Sequence, residues 1–314
     1  MYLYKTKQIM ATYELFKRLE IILDILTRYP NSTKSQIMQR LVEIHDIHKA
    51  SRTLERDFKS LREEFQINVT YNSSEKGYVI DDEHKERVQS LIKFVELVHV
   101  GEIFKQGLDD FDELRDVIDI DDSSNFKGIG HLKDILLAIK KKQKIHFEHE
   151  SYFRDSSKSY IITPLRIKEY LNRWYVIGVP DGAAEIRTFG VDRINVIKIG
   201  EVSKVKRSKF QKQLDQFAKI VGLTYGNVNN KPEKVVLKVE ENQLKYLSSL
   251  PLHFSQVIAP YEGATHREVT YYIIPNYEFE LEVLKMHSMV EVISPAWLRE
   301  SVITKLAEGL KNYK

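Results

Sequence analysis

The sequence predicts an α+β protein, and three observations support this fold class. An N-terminal stretch with helical periodicity ends in two short strand-like runs around a polar turn. One helical run that begins near residue 132 precedes five closely spaced strand-like runs. The rest of the chain alternates strand-like and helical segments. With 314 residues, at roughly 100–200 residues per domain, the chain has room for two or three domains.

The composition indicates a globular protein and excludes several kinds of site. Hydrophobic residues make up 42% of the chain and charged residues 30%, which excludes a mostly disordered or collagen-like chain. The chain has no cysteine, which excludes disulfides, thiolate zinc sites and catalytic thiols. No apolar run approaches the ~20 residues of a membrane helix, and residues 1–10 lack the apolar core of a signal peptide. We therefore expect a cytoplasmic protein without a membrane partner.

Charge is unevenly distributed along the chain. Residues 1–80 carry a net charge of +3, residues 81–130 carry −8 and residues 131–200 carry +5. Basic segments attract polyanions, because each neutralised phosphate releases counterions. Charge alone also fits an ordinary solvated surface, so it indicates nucleic acid only where the shape agrees.

Residues 14–80 are predicted to form three helices followed by a hairpin. The first helix buries an apolar stripe at helical spacing, formed by Leu15, Leu19, Ile22 and Leu26. Thr33 and Gln36 have the spacing of a capping box at the start of the second helix. The third helix begins near Ser51. A strand-like run that begins at Ile67 and a second run then flank a polar turn.

The third helix is predicted to have a basic outer face. At about 100° per residue, the inner face is formed by Leu54, Phe58, Leu61 and Phe65. Arg52, Arg56 and Lys59 lie on the opposite face. Such a helix fits the major groove of DNA, where arginine pairs with guanine edges or phosphates.

The ends of this unit add further candidate DNA contacts. Ser51 and Thr53, near the start of the helix, can bond to phosphates or bases. Lys76, at the tip of the hairpin, is where a wing would contact the backbone or the minor groove of DNA. The alternative is a solvated amphipathic helix, and Glu63 on the same face supports that alternative.

Residues 51–61, SRTLERDFKSL, resemble the recognition helix of winged helix-turn-helix regulators. In those families the pattern is roughly S-x-R-T-x-x-R-D-x-x-x-L, whereas here Ser51 directly precedes Arg52. Residues 76–80, KGYVI, resemble the matching wing strand. The resemblance implies a DNA-binding domain over residues 1–82, with base or phosphate contacts from Arg52, Thr53 and Arg56.

The middle of the chain predicts a small barrel or strongly bent sheet, because one helix precedes five short strands. Four ordered segments there resemble the WYL-domain family: IHFE from 145, TPL from 163, RWYVIG from 173 and IRTFGVDRI from 186. Val176 stands where leucine is usual. The resemblance implies an Sm-like barrel that acts as a sensor.

Residues 83–130 are predicted to be a connector, helical and acidic over 83–118 and a linker rich in Asp, Ser and Gly from 119 onward. The WYL resemblance implies the two domains that follow. Residues 131–203 would be the WYL sensor domain. Residues 204–314 would be the C-terminal α+β extension, which is a candidate for dimerisation.

Two strands of the barrel carry candidate effector residues. In an ideal strand, Arg187, Phe189 and Val191 face one side, and an arginine among apolar residues is costly unless it is paired or faces a ligand. Arg193 follows closely, so two guanidinium groups can converge on a phosphate. The alternative is that Arg187 pairs with Asp192 or Glu185 and serves the fold.

The first barrel strand adds the rest of the candidate effector site. His149 and Ser151 continue the face of the apolar residues before them. Tyr152 and Arg154 add aromatic and cationic surface that suits stacking on bases. The family resemblance also implies a nucleotide or a single-stranded nucleic acid as the effector.

One further basic run follows the barrel, formed by Lys204, Lys206, Arg207, Lys209 and Lys212. It fits a solvated hinge, or a contact with DNA or effector. No cofactor or metal site is predicted, because the histidines and carboxylates lack ligand spacing. No catalytic grouping is present in the sequence either, so we do not expect an enzyme.

We interpret the chain as a ligand-responsive, DNA-binding transcription regulator of bacterial type. We expect a homodimer that reads two half-sites of a duplex DNA operator about one helical turn apart. The alternative is an RNA-binding or RNA-processing factor that uses the Sm-like barrel. Tighter binding to single-stranded RNA than to any DNA duplex would favour that alternative.

Overall fold

The computed structural model describes residues 2–107, 127–150, 156–226, 229–261, 263 and 265–313. The chain divides into two compact units, Met1–Asp119 and Ile120–Lys314. No helix in these described ranges combines the length and the apolar character needed to cross a membrane.

The first unit is a winged helix-turn-helix with one further helix. Its elements are α1 (Tyr2–Arg28), α2 (Lys34–His45), α3 (Ser51–Phe65), the antiparallel hairpin of β1 (Val69–Asn72) and β2 (Gly77–Ile80), and α4 (Lys85–Gly107). The predicted stripe of α1 lies in the core, where Leu19, Ile22 and Leu26 are buried against Leu54 and Leu61 of α3. Residues 108–126, which include most of the predicted linker, lie outside the described residues.

Local sequence signals fix the ends of these helices. The capping box is confirmed, because Thr33 Oγ1 accepts a hydrogen bond from Gln36 N at 3.2 Å and Gln36 Oε1 accepts one from Thr33 N at 2.8 Å. The first strand starts later than predicted, at Val69. Gln66 ends α3 in the left-handed conformation, and the buried Ile67 donates its N–H to Leu61 O at 2.9 Å. Ile67 therefore belongs to the helix cap.

The second unit begins with one helix and a five-stranded antiparallel sheet, as predicted. These elements are α5 (Leu132–Lys141), β3 (Gln143–Glu150), β4 (Ser157–Tyr170), β5 (Arg173–Pro180), β6 (Arg187–Gly190) and β7 (Ile194–Val202). The strand order is β6-β5-β4-β3-β7. Register shifts in β4 beside β5, and in β3 beside β7, let the sheet bend around a core that includes Phe147 and Phe189.

The remainder of the second unit is a short helical segment followed by an α+β domain, which confirms the predicted fold class. Its elements are a 3₁₀ turn (Arg207–Phe210), α6 (Gln211–Gln216), β8 (Glu233–Glu240), α7 (Glu241–Ser249), β9 (Val257–Ile258), β10 (His266–Ile273), α8 (Tyr277–Lys285), β11 (Val290–Ser294) and α9 (Ala296–Lys311). The strand order is β11-β8-β10-β9. The helices cover the sheet face that carries Leu237 and Tyr271.

Candidate functional site

Helix α3 presents its basic face to solvent. Arg52, Arg56 and Lys59 are exposed, whereas Leu54 and Leu61 on the other side are buried. Ser51, the first residue of the helix, is also exposed, and Thr53 is half-buried. The helical wheel therefore placed these side chains correctly, and their contact with DNA remains a prediction.

A buried ion pair joins the inner side of α3 to α1. The sequence had not predicted this pair. Asp57 is only 2% exposed and accepts two hydrogen bonds from the Arg18 guanidinium of α1, at 2.6 and 2.8 Å. The hydrogen bond to Asp57 raises the pKa of Arg18. Asp57 lies about 60° from Leu54 on the helical wheel, so its inner position was readable from the sequence. The arginine partner, 39 residues earlier, was not readable.

The charges of the two outer arginines of α3 are not neutralised by ion pairs within the described residues. Within the described part of the chain, Arg52 and Arg56 form no ion pair. Glu55 pairs with Lys34 at 2.6 Å, and Lys34 and then Arg52 lower the pKa of Glu55. Lys59 lies 3.9 Å from Glu63, which is a long contact between two exposed side chains and worth little. The outer face is therefore positive around its two arginines.

The hairpin is held firmly against the turn between α1 and α2. Tyr78 N donates to Ser32 O at 2.8 Å. A Cβ on Gly77 would lie 1.8 Å from Asn31 O, so only glycine allows this approach. Asn72 Oδ1 accepts from the backbone N–H groups of the turn. Lys76 therefore stands exposed at a fixed tip, in the left-handed conformation at φ 55°.

In the barrel, three strands bring His149 into an aromatic cluster. The His149 ring lies 5.5 Å from Phe189 of β6, 6.2 Å from Tyr160 of β4 and 6.3 Å from Phe147 of its own strand. Phe189 is buried, and His149 and Tyr160 are partly buried. Within the described residues, the buried Nε2 atom of His149 has no hydrogen-bond partner. Burial and then the charge of Arg193 lower the pKa of His149, so the ring is neutral at pH 7.

The turn after β6 packs Arg193 tightly against Gly190. A Cβ on Gly190 would lie 2.6 Å from Asp192 Oδ1 and 3.0 Å from Arg193 Nε. Asp192 is buried, and Arg173 Nη1 lies 3.8 Å from its carboxylate. His149, Phe189 and Arg193 thus meet at one wall of the barrel. This wall offers a cation, a neutral imidazole and aromatic rings.

Arg187 does not join that wall in the way the sequence suggested. Strand β6 ends at Gly190, and Val191 begins a 3₁₀ turn, so the predicted three-residue face does not form. Arg187 is exposed, at the end of β6 that is distant from Arg193, about 10 Å along the strand at ~3.3 Å per residue. The prediction that Arg187, Phe189 and Val191 share one strand face was therefore wrong. The alternative pairing of Arg187 with Asp192 or Glu185 is also absent from the described residues.

Three candidate effector residues, Ser151, Tyr152 and Arg154, lie outside the described residues. Among those that are described, one group of side chains has metal-ligand spacing: Asp81, Glu83 and His84 have ligand atoms within 4.8 Å of one another. His84 Nε2 lies 3.4 Å from Glu83 Oε1, and these acids stand just before α4, where carboxylates stabilise a helix start. The position of these three side chains at the start of α4 therefore accounts for their proximity.

Comparison with known proteins identifies two domains in the second unit. A family model described as WYL domain matches residues 130–199, and one described as WCX domain matches residues 231–310. No curated protein matches the chain.

Two solved structures resemble the chain weakly. Proteasome accessory factor B/C of Arthrobacter aurescens is 16% identical with a TM-score of 0.29; the match covers 94% of this chain and 46% of that one, so this chain spans less than half of that relative's length. A structure titled as a CRISPR Cas-related protein is 12% identical with a TM-score of 0.37, and the match covers 96% and 86% of the two chains. Likeness at this level says nothing about function.

Proposed function

The chain is a WYL-domain protein with a WCX domain after the WYL domain, and on this basis we propose that it is a DNA-binding transcription regulator that responds to a ligand. The two family matches confirm the resemblance that four short segments of the sequence indicated. The proposed regulator is a cytoplasmic homodimer that binds duplex DNA through its winged unit and an effector through its WYL barrel.

The observation that carries the proposal is the outer face of α3. Arg52 and Arg56 are exposed, form no ion pair within the described residues, and stand on a helix that a buried ion pair holds in place. A guanidinium group presented by a rigid helix can form two hydrogen bonds to a guanine edge. The wing, with Lys76 at its fixed tip, supports contact with the adjacent backbone.

The barrel wall supports the sensing half of the proposal. Arg193 suits a phosphate, and Phe189 and the neutral His149 suit an unpaired base. We therefore propose a nucleotide or a single-stranded nucleic acid as the effector, with Ser151, Tyr152, Arg154 and Arg187 as further contacts. Such an effector changes operator affinity only if it binds two states of the protein differently.

Fluorescence anisotropy with duplex DNA from upstream of the chain's own gene tests the DNA-binding half. The measurement uses near-physiological salt, excess nonspecific competitor and the variant Arg52→Ala/Arg56→Ala. Because the loss of each arginine should cost about 1–3 kcal/mol of binding free energy, the double variant should bind at least about 30-fold more weakly than the wild type. The matched control, Arg28→Ala/Lys93→Ala, removes two exposed cations from α1 and α4 and should bind normally.

Two results would contradict the DNA-binding half of this proposal. Equal binding by the Arg52→Ala/Arg56→Ala variant and the wild type would remove α3 as the reader. Tighter binding to single-stranded RNA than to every DNA duplex would favour an RNA-binding factor.

The sensing half has its own test. Arg187→Ala/Arg193→Ala should abolish the change in operator affinity that the effector causes, while leaving effector-free operator binding unchanged. A response that survives in this variant would refute the assignment of the sensor residues.

A further inference from the structure

The segment between the WYL and WCX domains carries a concentrated positive charge. Over residues 204–216 it has five cations and one acid, Asp215, for a net charge of +4. All five cations are exposed: Lys204, Lys206, Arg207, Lys209 and Lys212. We refer to these five residues as the linker surface.

The linker surface stands on a fixed base. Phe210 and Leu214 are buried against β4 and β5, in a cluster that includes Leu165 and Ile177. Arg166 of β4 also donates to Leu214 O at 2.8 Å. The guanidinium of Arg207 donates to Leu165 O, which ties the 3₁₀ turn to the same strand. A flexible hinge would have none of these contacts, so they argue against the solvated hinge that the sequence favoured for this basic run.

The charge of the linker surface is not neutralised locally. Within the described residues, none of its five cations forms an ion pair. Asp215 accepts a hydrogen bond from Gln211 instead. Ordered cations that lack carboxylate partners raise the local potential and attract an anionic partner.

The chemistry of the segment favours a nucleic acid over a membrane. A membrane-binding helix turns apolar side chains outward into the lipid, whereas Phe210 and Leu214 point into the protein core here. Lysines act as point charges that suit phosphates without reading bases. Ile186 N donates to Gln213 Oε1 at 2.9 Å, so the start of β6, and Arg187 with it, lies beside α6.

We propose that the linker surface binds the sugar–phosphate backbone of a nucleic acid, independently of its sequence, as a second polyanion site beside the barrel. The choice of a nucleic acid as the partner rests on the proposed function. The location of the site rests on the exposed cations of the linker surface alone. The same phosphate chemistry occurs in a single strand and in a duplex, and the experiment distinguishes these two sources.

The test measures anisotropy of a 20-nucleotide single strand and of a 20-base-pair duplex, both without operator sequence, over a range of salt concentrations. The full-length variant Lys204→Gln/Lys206→Gln/Lys209→Gln/Lys212→Gln is compared with wild type. The matched control replaces Lys140, Lys141, Lys245 and Lys311, which are exposed on other helices of the same unit, by glutamine. Circular dichroism checks that both variants keep the fold.

For a single strand, the slope of log affinity against log salt should become about 3 units shallower in the linker variant, since each phosphate contact contributes about 0.7. The duplex slope should change by a similar amount only if the duplex is the natural partner. The control variant should keep the wild-type slope on both probes.

Equal slopes for the linker variant and the control on both probes would overturn the inference. Linker-dependent binding to phosphatidylserine vesicles, without binding to either oligonucleotide, would overturn it as well. The Arg52→Ala/Arg56→Ala variant separates the two proposals, because it should lose operator binding and keep the linker-dependent slope on the single strand. If the operator experiment alone fails, the proposal that the linker surface binds nucleic acid is therefore not contradicted.

Discussion

The winged unit and the WYL barrel present their candidate residues in opposite ways. In the winged unit, Arg52 and Arg56 are exposed on the outer face of a helix, and the charged pair that supports them is buried behind. In the barrel, the buried Phe189 and the partly buried His149 and Arg193 meet in the wall of the sheet.

This difference matches two kinds of ligand. Exposed cations on a convex helix suit a large, rigid polyanion that the protein cannot surround. A half-buried wall of aromatic rings with one guanidinium suits a small or flexible ligand that can stack against it. The following predictions test whether the winged unit and the barrel differ in this way.

The largest expected effect comes from breaking the buried pair of the winged unit. Asp57→Ala leaves Arg18 without its partner and should reduce the free energy of unfolding of this unit by about 3–5 kcal/mol. Both tryptophans, Trp174 and Trp297, lie in the second unit. Urea unfolding should therefore shift when followed by helical circular dichroism and stay unchanged when followed by tryptophan fluorescence.

A compensating variant provides the control for that prediction. Arg18→Met/Asp57→Leu replaces the pair by apolar side chains of similar size and should recover most of the lost stability. A fluorescence transition that shifts together with the circular dichroism would contradict the separation of the two regions.

The next largest effect is expected in the barrel. Gly190→Ala places a methyl group 2.6 Å from Asp192 and 3.0 Å from Arg193, and should cost about 1–3 kcal/mol of stability in the second unit. The urea transition followed by tryptophan fluorescence measures this loss. The effector response should weaken, while effector-free operator binding stays normal. Gly130→Ala, which meets no atom within 4 Å, is the matched control, and equal behaviour of both variants would refute the packing argument.

A smaller effect concerns pH. The folded-state pKa of His149 lies below its ordinary value, so below about pH 6.5 the unfolded chain binds more protons at this position. The stability of the second unit should therefore fall as the pH is lowered from 7.5 to 5.5, and His149→Phe should make that fall shallower. Tryptophan-detected urea unfolding at the two pH values measures it.

In the His149→Phe variant, His253 still contributes to the pH dependence of the stability of the second unit. Burial also lowers the pKa of His253, which is bonded to Ala218 O and Ser255 Oγ. A steeper fall with pH in His149→Phe than in wild type would contradict the assigned sign.

The smallest expected effect lies at the wing tip. Lys76→Asn removes one cation and suits the left-handed backbone at φ 55°. The slope of log operator affinity against log salt should become shallower by about 0.9, with equal effect on all operator sequences. Lys93→Asn on α4 is the control, and a sequence-dependent effect at Lys76 would indicate base reading by the wing.

The sequence by itself indicated most of the elements and one candidate DNA-binding face. The exposed face of α3 followed from helical geometry, because about 100° per residue fixes which side chains oppose Leu54. The capping box and the run of one helix and five strands were readable for the same reason, since each depends on residues close in the chain. The family resemblance rested on short ordered segments of this kind.

Tertiary structure alone decided the partners. Asp57 meets Arg18 across 39 residues, and His149 meets Phe189 and Arg193 because β3 lies beside β7 and the sheet bends to bring β6 close. The end of β6 at Gly190 separates Arg187 from Arg193, although ideal alternation had placed Arg187, Phe189 and Val191 on one face. Local periodicity fixes the direction of a side chain within its own element. Its neighbours depend on how distant elements pack, and the spacing of residues along the chain does not encode that packing.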